Sequence, residues 1–373
     1  MQPNSSPREC SVSTPLSVKN RSPSARDNPR VNPRRSLAAA LLGLLTPLAA
    51  AATAAPGDAP AAHLAAPLVE RAIPTIRVHP DEARRLADEA LALLAARPDA
   101  DLEVRAQLVL CEYFAERDLD RAREVLERTT AQLPLARRAG LRAGVQVCAG
   151  EIQEAAGDNT QALSAYERAV SEAEVAADNE MLATALYLRG WLRGVQSEYA
   201  LGLADLRRSL ALYEKLAWPE YARTVVNGIA TIYSRMGDHA QARHYYEQAA
   251  KEQLAAGVER EAAVTLYNLG RTFEKMNQWD DAERSYLQSM EIGRRIDYTR
   301  SQAYAERGLA AVHNARGEWP QALERLDRAE ALVAELPDAR LRAQLALVRG
   351  VSLRGLRRPS ESLAALNAAL ATF

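Results

Sequence analysis

The stretch NLGRTFEKMNQWDDAERSY, Asn268–Tyr286, places small and aromatic residues at offsets that recur every forty residues along the chain. With Gly270 numbered as position 8 of its unit, seven units follow one another, centred on Leu110, Gly150, Gly190, Ala230, Gly270, Ala310 and Gly350. Position 20 holds only Ala, Gly or Ser, and position 24 holds only Tyr or Leu. No insertion or deletion interrupts the pattern over residues 100–373, so this part of the chain is a repeat array.

The spacing within one unit predicts two helices. Positions 4, 8 and 11 share one stripe of a first helix, the A helix, and positions 20, 24, 27 and 28 share one stripe of a second, the B helix. Gly157, Gly237 and Gly317 occupy position 15, and each precedes an acidic residue, which is typical of a left-handed helix end followed by a helix start. Each hairpin buries its apolar face only against its neighbours. We therefore predict an all-α, right-handed superhelical solenoid of about seven helical hairpins plus a degenerate opening unit.

The repeated pattern Leu-Gly-x-x-[Tyr/Phe], a turn, Ala, three residues, Tyr, then Ala resembles the tetratricopeptide repeat (TPR) in a forty-residue form. Residues 67–99 resemble a degenerate opening repeat. The resemblance implies a scaffold that binds a peptide segment or protein partner on its concave face without catalysis. The layout also resembles the extracytoplasmic input region of bacterial TPR signalling proteins that continue into a diguanylate cyclase (GGDEF) domain. A sensory input region of such a protein, truncated before its output enzyme, is the alternative function.

The first 54 residues have the pattern of a polar leader and a signal peptide. Arg34 and Arg35 precede an apolar run that ends in Ala52-Thr53-Ala54, a cleavage signal of the Ala-x-Ala type. Cleavage there predicts a periplasmic or secreted protein with no transmembrane span, whereas an uncleaved segment would anchor the chain to the membrane. Residues 55–66 have the composition of a flexible Ala/Pro linker.

Charge and motifs exclude several function classes. Formal net charge is −1, and residues 1–35 hold seven of the 47 Lys and Arg residues but only two of the 48 acidic residues. The rest of the chain therefore has 40 basic against 46 acidic residues, a net charge of −6, which argues against nucleic-acid binding by the array. The chain lacks a phosphate-binding glycine loop, a nucleophile elbow and the spacings of metal ligands. We therefore expect no catalytic residues, no metal and no cofactor.

The resemblance to TPR arrays implies a concave groove lined by A-helix positions 2, 5, 9 and 12, which the packing stripe leaves free. In the middle units these positions combine aromatic rings with amide and guanidinium groups, which suit an extended peptide. The predicted groove residues are Tyr187, Trp191, Asn227, Thr231, Tyr267, Arg271, Tyr304 and Arg307. Superhelical twist could instead turn some rings into packing between helices, and this alternative applies more to Trp191 than to Tyr304.

The last helix leaves an apolar stripe without a following hairpin. Leu363, Leu366, Leu370 and Phe373 form this stripe, the C-terminal edge. A repeat array usually ends on a polar face. The edge therefore predicts self-association or docking of another domain or partner.

Two cysteines remain after signal cleavage, and they fall on neighbouring A helices. Helix axes are about 8–10 Å apart, which is wider than a disulfide spans and favours two buried thiols for Cys111 and Cys148. An oxidising compartment favours a disulfide instead.

Overall fold

The computed structural model describes residues 61–76, 79–334 and 338–371. The predicted leader and Phe373 lie outside these residues. The described part of the chain is all-α, without strands, and its sixteen α-helices form eight successive hairpins. The helices are α1 (Ala61–Thr75), α2 (Pro80–Leu94), α3 (Ala100–Ala115), α4 (Leu119–Gln132), α5 (Leu141–Ala155), α6 (Asn159–Val175), α7 (Asn179–Val195), α8 (Tyr199–Lys215), α9 (Pro219–Met236), α10 (His239–Ala255), α11 (Glu259–Lys275), α12 (Trp279–Arg295), α13 (Thr299–Ala315), α14 (Trp319–Val333), α15 (Ala339–Gly355) and α16 (Pro359–Leu370).

The helices keep the predicted register closely. From Asn159 to Pro359 the eleven helices α6 to α16 each begin twenty residues after the one before. A and B helices thus have nearly the same length, and two of them make one forty-residue unit. The solenoid fold predicted from the repeat is confirmed. None of the helices in the described ranges has the length and apolar character needed to cross a membrane.

Many of the helices end at a turn with a left-handed residue. Gly157, Gly237 and Gly317 have φ of 86°, 82° and 78°, which confirms the predicted left-handed position. After two of these turns an aspartate, Asp158 or Asp238, accepts a hydrogen bond from a backbone N–H of the B helix that follows. Seven further turns use the same conformation at residues that are mostly not glycine: Ala177, Ser197, Ala217, Gly257, Asn277, Asp297 and Arg357.

Small residues bring the helices of a hairpin into backbone contact. A Cβ atom placed on Gly202 of α8 would lie 2.7 Å from the carbonyl oxygen of Gly190 in α7. Beside this contact the buried Asp205 accepts hydrogen bonds from Arg189 at 2.7 and 2.8 Å and from Arg193 at 2.8 Å. The two helices of this hairpin are therefore joined by close backbone packing and by a partly buried ion-pair network.

Bulky residues at position 24 fill the space that small residues at position 8 leave open. The ring of Tyr286 in α12 occupies the place of a side chain at both Gly270 of α11 and Gly308 of α13, 2.6 Å from either missing Cβ. Its hydroxyl group donates to Glu274 at 2.8 Å. One tyrosine thus packs against two successive hairpins, which is how the repeat propagates the stack.

The first hairpin closes back onto the array. The hydroxyl of Tyr221 at the start of α9 donates to the carbonyl oxygen of Ile73 in α1 at 2.8 Å, across 148 residues of sequence. Helix α1 begins at Ala61, inside the stretch 55–66 that the composition suggested as a linker. The end of α1 therefore reaches the inner side of the fifth hairpin, a contact that the repeat pattern does not predict.

Cys111 and Cys148 form a disulfide, so the expectation of two separate thiols was wrong. The Cα atoms are 5.9 Å apart. Helix axes overestimate this distance because each Cα lies about 2.3 Å from its own axis, and two facing Cα atoms can approach to about 5 Å. The disulfide joins α3 to α5.

Candidate functional site

The predicted groove residues lie on four successive A helices, α7, α9, α11 and α13, and are together called the belt below. Tyr187 and Trp191 are half-buried beside α9. Their rings lie 3.7 and 3.9 Å from the place of a missing Cβ at Gly228. The glycine thus makes room for both rings, which pack on α9 on one side and keep part of their surface exposed.

Asn227 of α9 is half-buried and adds an amide side chain to the belt. Its Oδ1 accepts from the hydroxyl of Thr265 in α11 at 3.5 Å, but its NH₂ group donates to no residue within the described ranges. Thr231, one turn later, differs from the prediction because it is buried. Its hydroxyl bonds to the Asn227 carbonyl oxygen and to the hydroxyl of Tyr246, each at 3.0 Å. Thr231 therefore fixes the position of the Tyr246 hydroxyl inside the α9–α10 hairpin.

Arg271 is a half-buried cation of the belt that forms no ion pair or hydrogen bond with the residues that the structure describes. Burial raises the pKa of the neighbouring Tyr246 to about 12, against the opposing effects of the Thr231 hydrogen bond and the Arg271 charge. The phenol thus stays neutral and cannot neutralise the guanidinium. Asn227 and Arg271 together offer donors that a carbonyl or carboxylate could accept.

Tyr267, Tyr304 and Arg307 pack against one another instead of facing solvent. The two rings are 4 % and 6 % exposed as residues, with centroids 5.2 Å apart, and the Arg307 guanidinium lies 5.8 Å from the Tyr267 ring. Burial alone would lower the pKa of Arg307, but its interactions with Tyr267 and Glu274 raise it above the ordinary value. The expectation that packing leaves these positions free was therefore wrong for the two tyrosines. The two rings pack against each other between the A helices α11 and α13, and Tyr304 is more buried than Trp191.

A cavity of about 70 Å³ lies at the N-terminal end of the same inner side, where no site was predicted. It opens between α3, α5 and α7 and is closed by the end of α1 and the start of α9. Gly144, Val147 and Glu151 line it and occupy positions 2, 5 and 9 of their unit, so the rule used for the middle units also applies here. Ile73, Trp218 and Tyr221 line it as well, and no repeat position indicated them.

Charged residues surround this cavity. Arg105 of α3 donates to Glu70 of α1, and its Nη2 atom lies 3.6 Å from Glu180 of α7. The hydrogen bond and charge of Arg105 lower the pKa of Glu70, although partial burial opposes them. Arg105 thus lies between carboxyl groups of α1 and α7 and connects the first hairpin to the inner side of the array.

Comparison with known proteins agrees with the repeat. A family model described as tetratricopeptide repeat matches residues 220–295. A comparison with curated proteins returned no match.

Solved structures share the architecture of the whole array. A Rap protein complexed with competence and sporulation factor is 16 % identical, with 83 % of this chain and 88 % of that chain covered and a TM-score of 0.61. NprR in complex with its cognate peptide NprX is 17 % identical, with 81 % and 87 % covered and a TM-score of 0.55. A signal-transduction ATPase with a tetratricopeptide repeat sensor from Pyrococcus horikoshii is 14 % identical, with 83 % and 47 % covered and a TM-score of 0.66. At these identities the likeness concerns the fold.

Proposed function

The chain is a tetratricopeptide repeat protein, and from that premise we propose that it is a non-catalytic scaffold that binds an extended peptide segment of a partner protein on its inner side. The observation that carries this proposal is the pair of unpaired donors on neighbouring A helices, the Asn227 amide and the Arg271 guanidinium. Partly exposed rings of Tyr187 and Trp191 lie beside them. An array without a ligand has no need of an unpaired, half-buried arginine on its inner side.

The chemistry of the belt suits a peptide backbone with an acidic group. An amide donates to a backbone carbonyl oxygen, and a guanidinium pairs with a carboxylate. The half-buried rings supply apolar contact area at a low cost in side-chain entropy. NprR in complex with its cognate peptide NprX and the Rap protein complexed with competence and sporulation factor support the proposal by analogy of fold.

Replacing both Asn227 and Arg271 with alanine should weaken capture of the partner by about 2 kcal/mol, roughly 30-fold, because two hydrogen-bond donors are lost. The measurement is quantitative capture from extracts of the source cell by immobilised wild-type and variant chains, read by mass spectrometry. The two side chains are partly exposed, so the variant should keep the helical circular dichroism of the wild type.

The matched control carries Gln248→Ala and Arg294→Ala, which remove an amide and a guanidinium from exposed positions on the B helices α10 and α12. This control should capture the partner as the wild type does. Equal recovery of every protein by the wild type and the groove variant would refute the proposal. Tyr267→Ala is a poor test, because the buried ring would leave a void in the core.

We also propose that the protein works in the periplasm or outside the cell. The predicted signal peptide supports this location, and so does the Cys111–Cys148 disulfide, because such bonds persist in oxidising compartments. Cells that make the full chain should release a product beginning near Ala55, in which neither cysteine reacts with a thiol reagent after denaturation. A cytosolic, uncleaved chain in which all three cysteines react would contradict the location.

At the C-terminal edge we propose that a second copy of the chain docks. Leu363 and Leu370, two turns apart on the same side of α16, are 61 % and 70 % exposed, so they place two apolar side chains on one surface. Leu366 is half-buried instead, because its side chain fills the space beside Gly350. A two-fold pairing would let the same face cover itself.

The diguanylate cyclase alternative remains a hypothesis that uses the same groove as an input site. It differs from the scaffold hypothesis in what the gene encodes after codon 373. Reading the downstream DNA for a membrane helix and a GGDEF-like sequence separates the two, since the scaffold hypothesis requires neither.

A further inference from the structure

The cavity at the N-terminal end of the inner side has an apolar floor of limited size. Leu108 and Val147 line it from α3 and α5, Met181 from α7, and Ile76 and Trp218 from the two segments that close it. An apolar cavity of about 150 Å³ in another protein holds one benzene molecule. By that comparison a cavity of about 70 Å³ holds roughly three or four heavy atoms. This is the size of a valine or leucine side chain, and a phenyl ring is too large.

Two polar atoms at the cavity lack hydrogen-bond partners. Arg105 is 9 % exposed, and its Nε–H finds no acceptor among the described residues. The buried Oε1 of Glu180 receives no hydrogen bond from that part of the chain either, since Arg105 Nη2 is 3.6 Å away. Buried donors and acceptors are nearly always satisfied, so an unsatisfied donor beside an unsatisfied acceptor indicates a group that supplies both. A backbone amide supplies both.

We propose that this cavity is an anchor pocket for one aliphatic side chain of the bound peptide. The side chain enters the apolar floor, Arg105 Nε donates to a peptide carbonyl oxygen, and Glu180 accepts from a peptide N–H. The assignment rests on the proposed peptide-binding function and adds a preference for a residue the size of valine or leucine. Gly144, Val147 and Glu151 connect the pocket to the inner side, because they hold the same repeat positions as the belt.

The test uses the full chain with its methionine methyl groups labelled with ¹³C and read by NMR. The probe is N-acetyl-leucine methylamide, which carries the aliphatic group and the amide together. Of the five methionines, Met181 lines the cavity, whereas Met236 lies exposed at the end of α9. Millimolar probe should give a saturable shift of the Met181 methyl signal and leave Met236 unchanged. The glycine and phenylalanine analogues should give no saturable shift, because one lacks the side chain and the other exceeds the cavity.

Gly144→Ala should abolish the Met181 response. The added Cβ would lie 2.4 Å from Leu108 Cδ1 and 3.1 Å from Met181 Sδ, and both are ends of flexible side chains that can yield into the cavity. Because alanine favours helix, the variant should remain folded. Gly293→Ala in α12 is the matched control, because its added Cβ would lie 3.2 Å from Gln302 Cγ and away from the residues that line the cavity, and it should respond as the wild type does.

The pocket proposal fails if the leucine probe leaves Met181 unchanged, if all three probes shift it alike, or if Gly144→Ala responds fully. The first of these results would mean that ordered water satisfies Arg105 and Glu180. None of these outcomes affects the capture experiment with the Asn227 and Arg271 variant. The pocket proposal can therefore be refuted while the proposed peptide-binding function is retained.

Discussion

Leucine at Gly202 is expected to destabilise the α7–α8 hairpin by about 3 kcal/mol and to raise its amide hydrogen-exchange rates roughly 100-fold. The atoms in the way belong to the backbone of α7: the Gly190 carbonyl oxygen at 2.7 Å and the Gly194 nitrogen at 3.0 Å from the added Cβ. A side chain cannot rotate away from backbone atoms, so the two helices must separate. Separation would also stretch the bonds from Arg189 and Arg193 to Asp205.

Native-state hydrogen exchange read by mass spectrometry suits this prediction, because hairpins of a solenoid contact mainly their neighbours and lose stability locally. Faster exchange should therefore concentrate in residues 179–215 and weaken towards both ends of the array. Ala200→Leu, at an exposed position of the same helix, is the control and should leave the exchange rates unchanged. Unchanged protection in Gly202→Leu would mean that the helices do not meet as described.

Lysine at both Leu363 and Leu370 is expected to weaken self-association by at least about 4 kcal/mol, roughly 1,000-fold in the dissociation constant. Each substitution occurs twice in a two-fold dimer, and an unpaired ammonium group is costly to bury. The substitution avoids Leu366, whose side chain packs beside Gly350 within the last hairpin. Sedimentation velocity across a micromolar concentration series measures the effect.

The wild-type chain should shift towards dimer over this series, and the double variant should sediment as a monomer. Leu201→Lys introduces the same charge at a residue of α8 that is 53 % exposed, and it should dimerise as the wild type does. A wild-type chain that remains monomeric throughout would remove the edge as a self-association surface. Loss of dimer in the Leu201 control would show that added charge, rather than the edge, determines the result.

Most of the fold could be predicted because its determinants are local. Gly157 and Gly237 end helices at a left-handed residue, and the aspartate after each caps the next helix. Tyr286 and its equivalents at position 24 fill the space over position 8. These relations span a few to a few tens of residues, so a repeat with no insertions shows them all. Turns without glycine, such as those at Ala177 and Arg357, carried no comparable signal in the sequence.

The candidate site could be predicted only in part. Counting positions identified the belt and its two unpaired donors, Asn227 and Arg271. It did not predict that Tyr267 and Tyr304 are buried, because their exposure depends on the twist between successive hairpins. The same rule for groove positions, applied to the preceding repeat unit, would have identified Val147, which lines one side of the cavity.

The amino-acid sequence by itself determined the helices, their length, their pairing into hairpins and the residues between them, because the periodicity of side chains along one helix decides which face it buries. Only the tertiary structure decided which inner-face residues stay exposed. It also decided that Cys111 forms a disulfide with Cys148 and that Tyr221 donates a hydrogen bond to Ile73. Those contacts depend on how small rotations between hairpins add up along the stack. The rotation from one hairpin to the next cannot be read from a single repeat. Its sum over the stack brings α1 against α9 and leaves a cavity beside them.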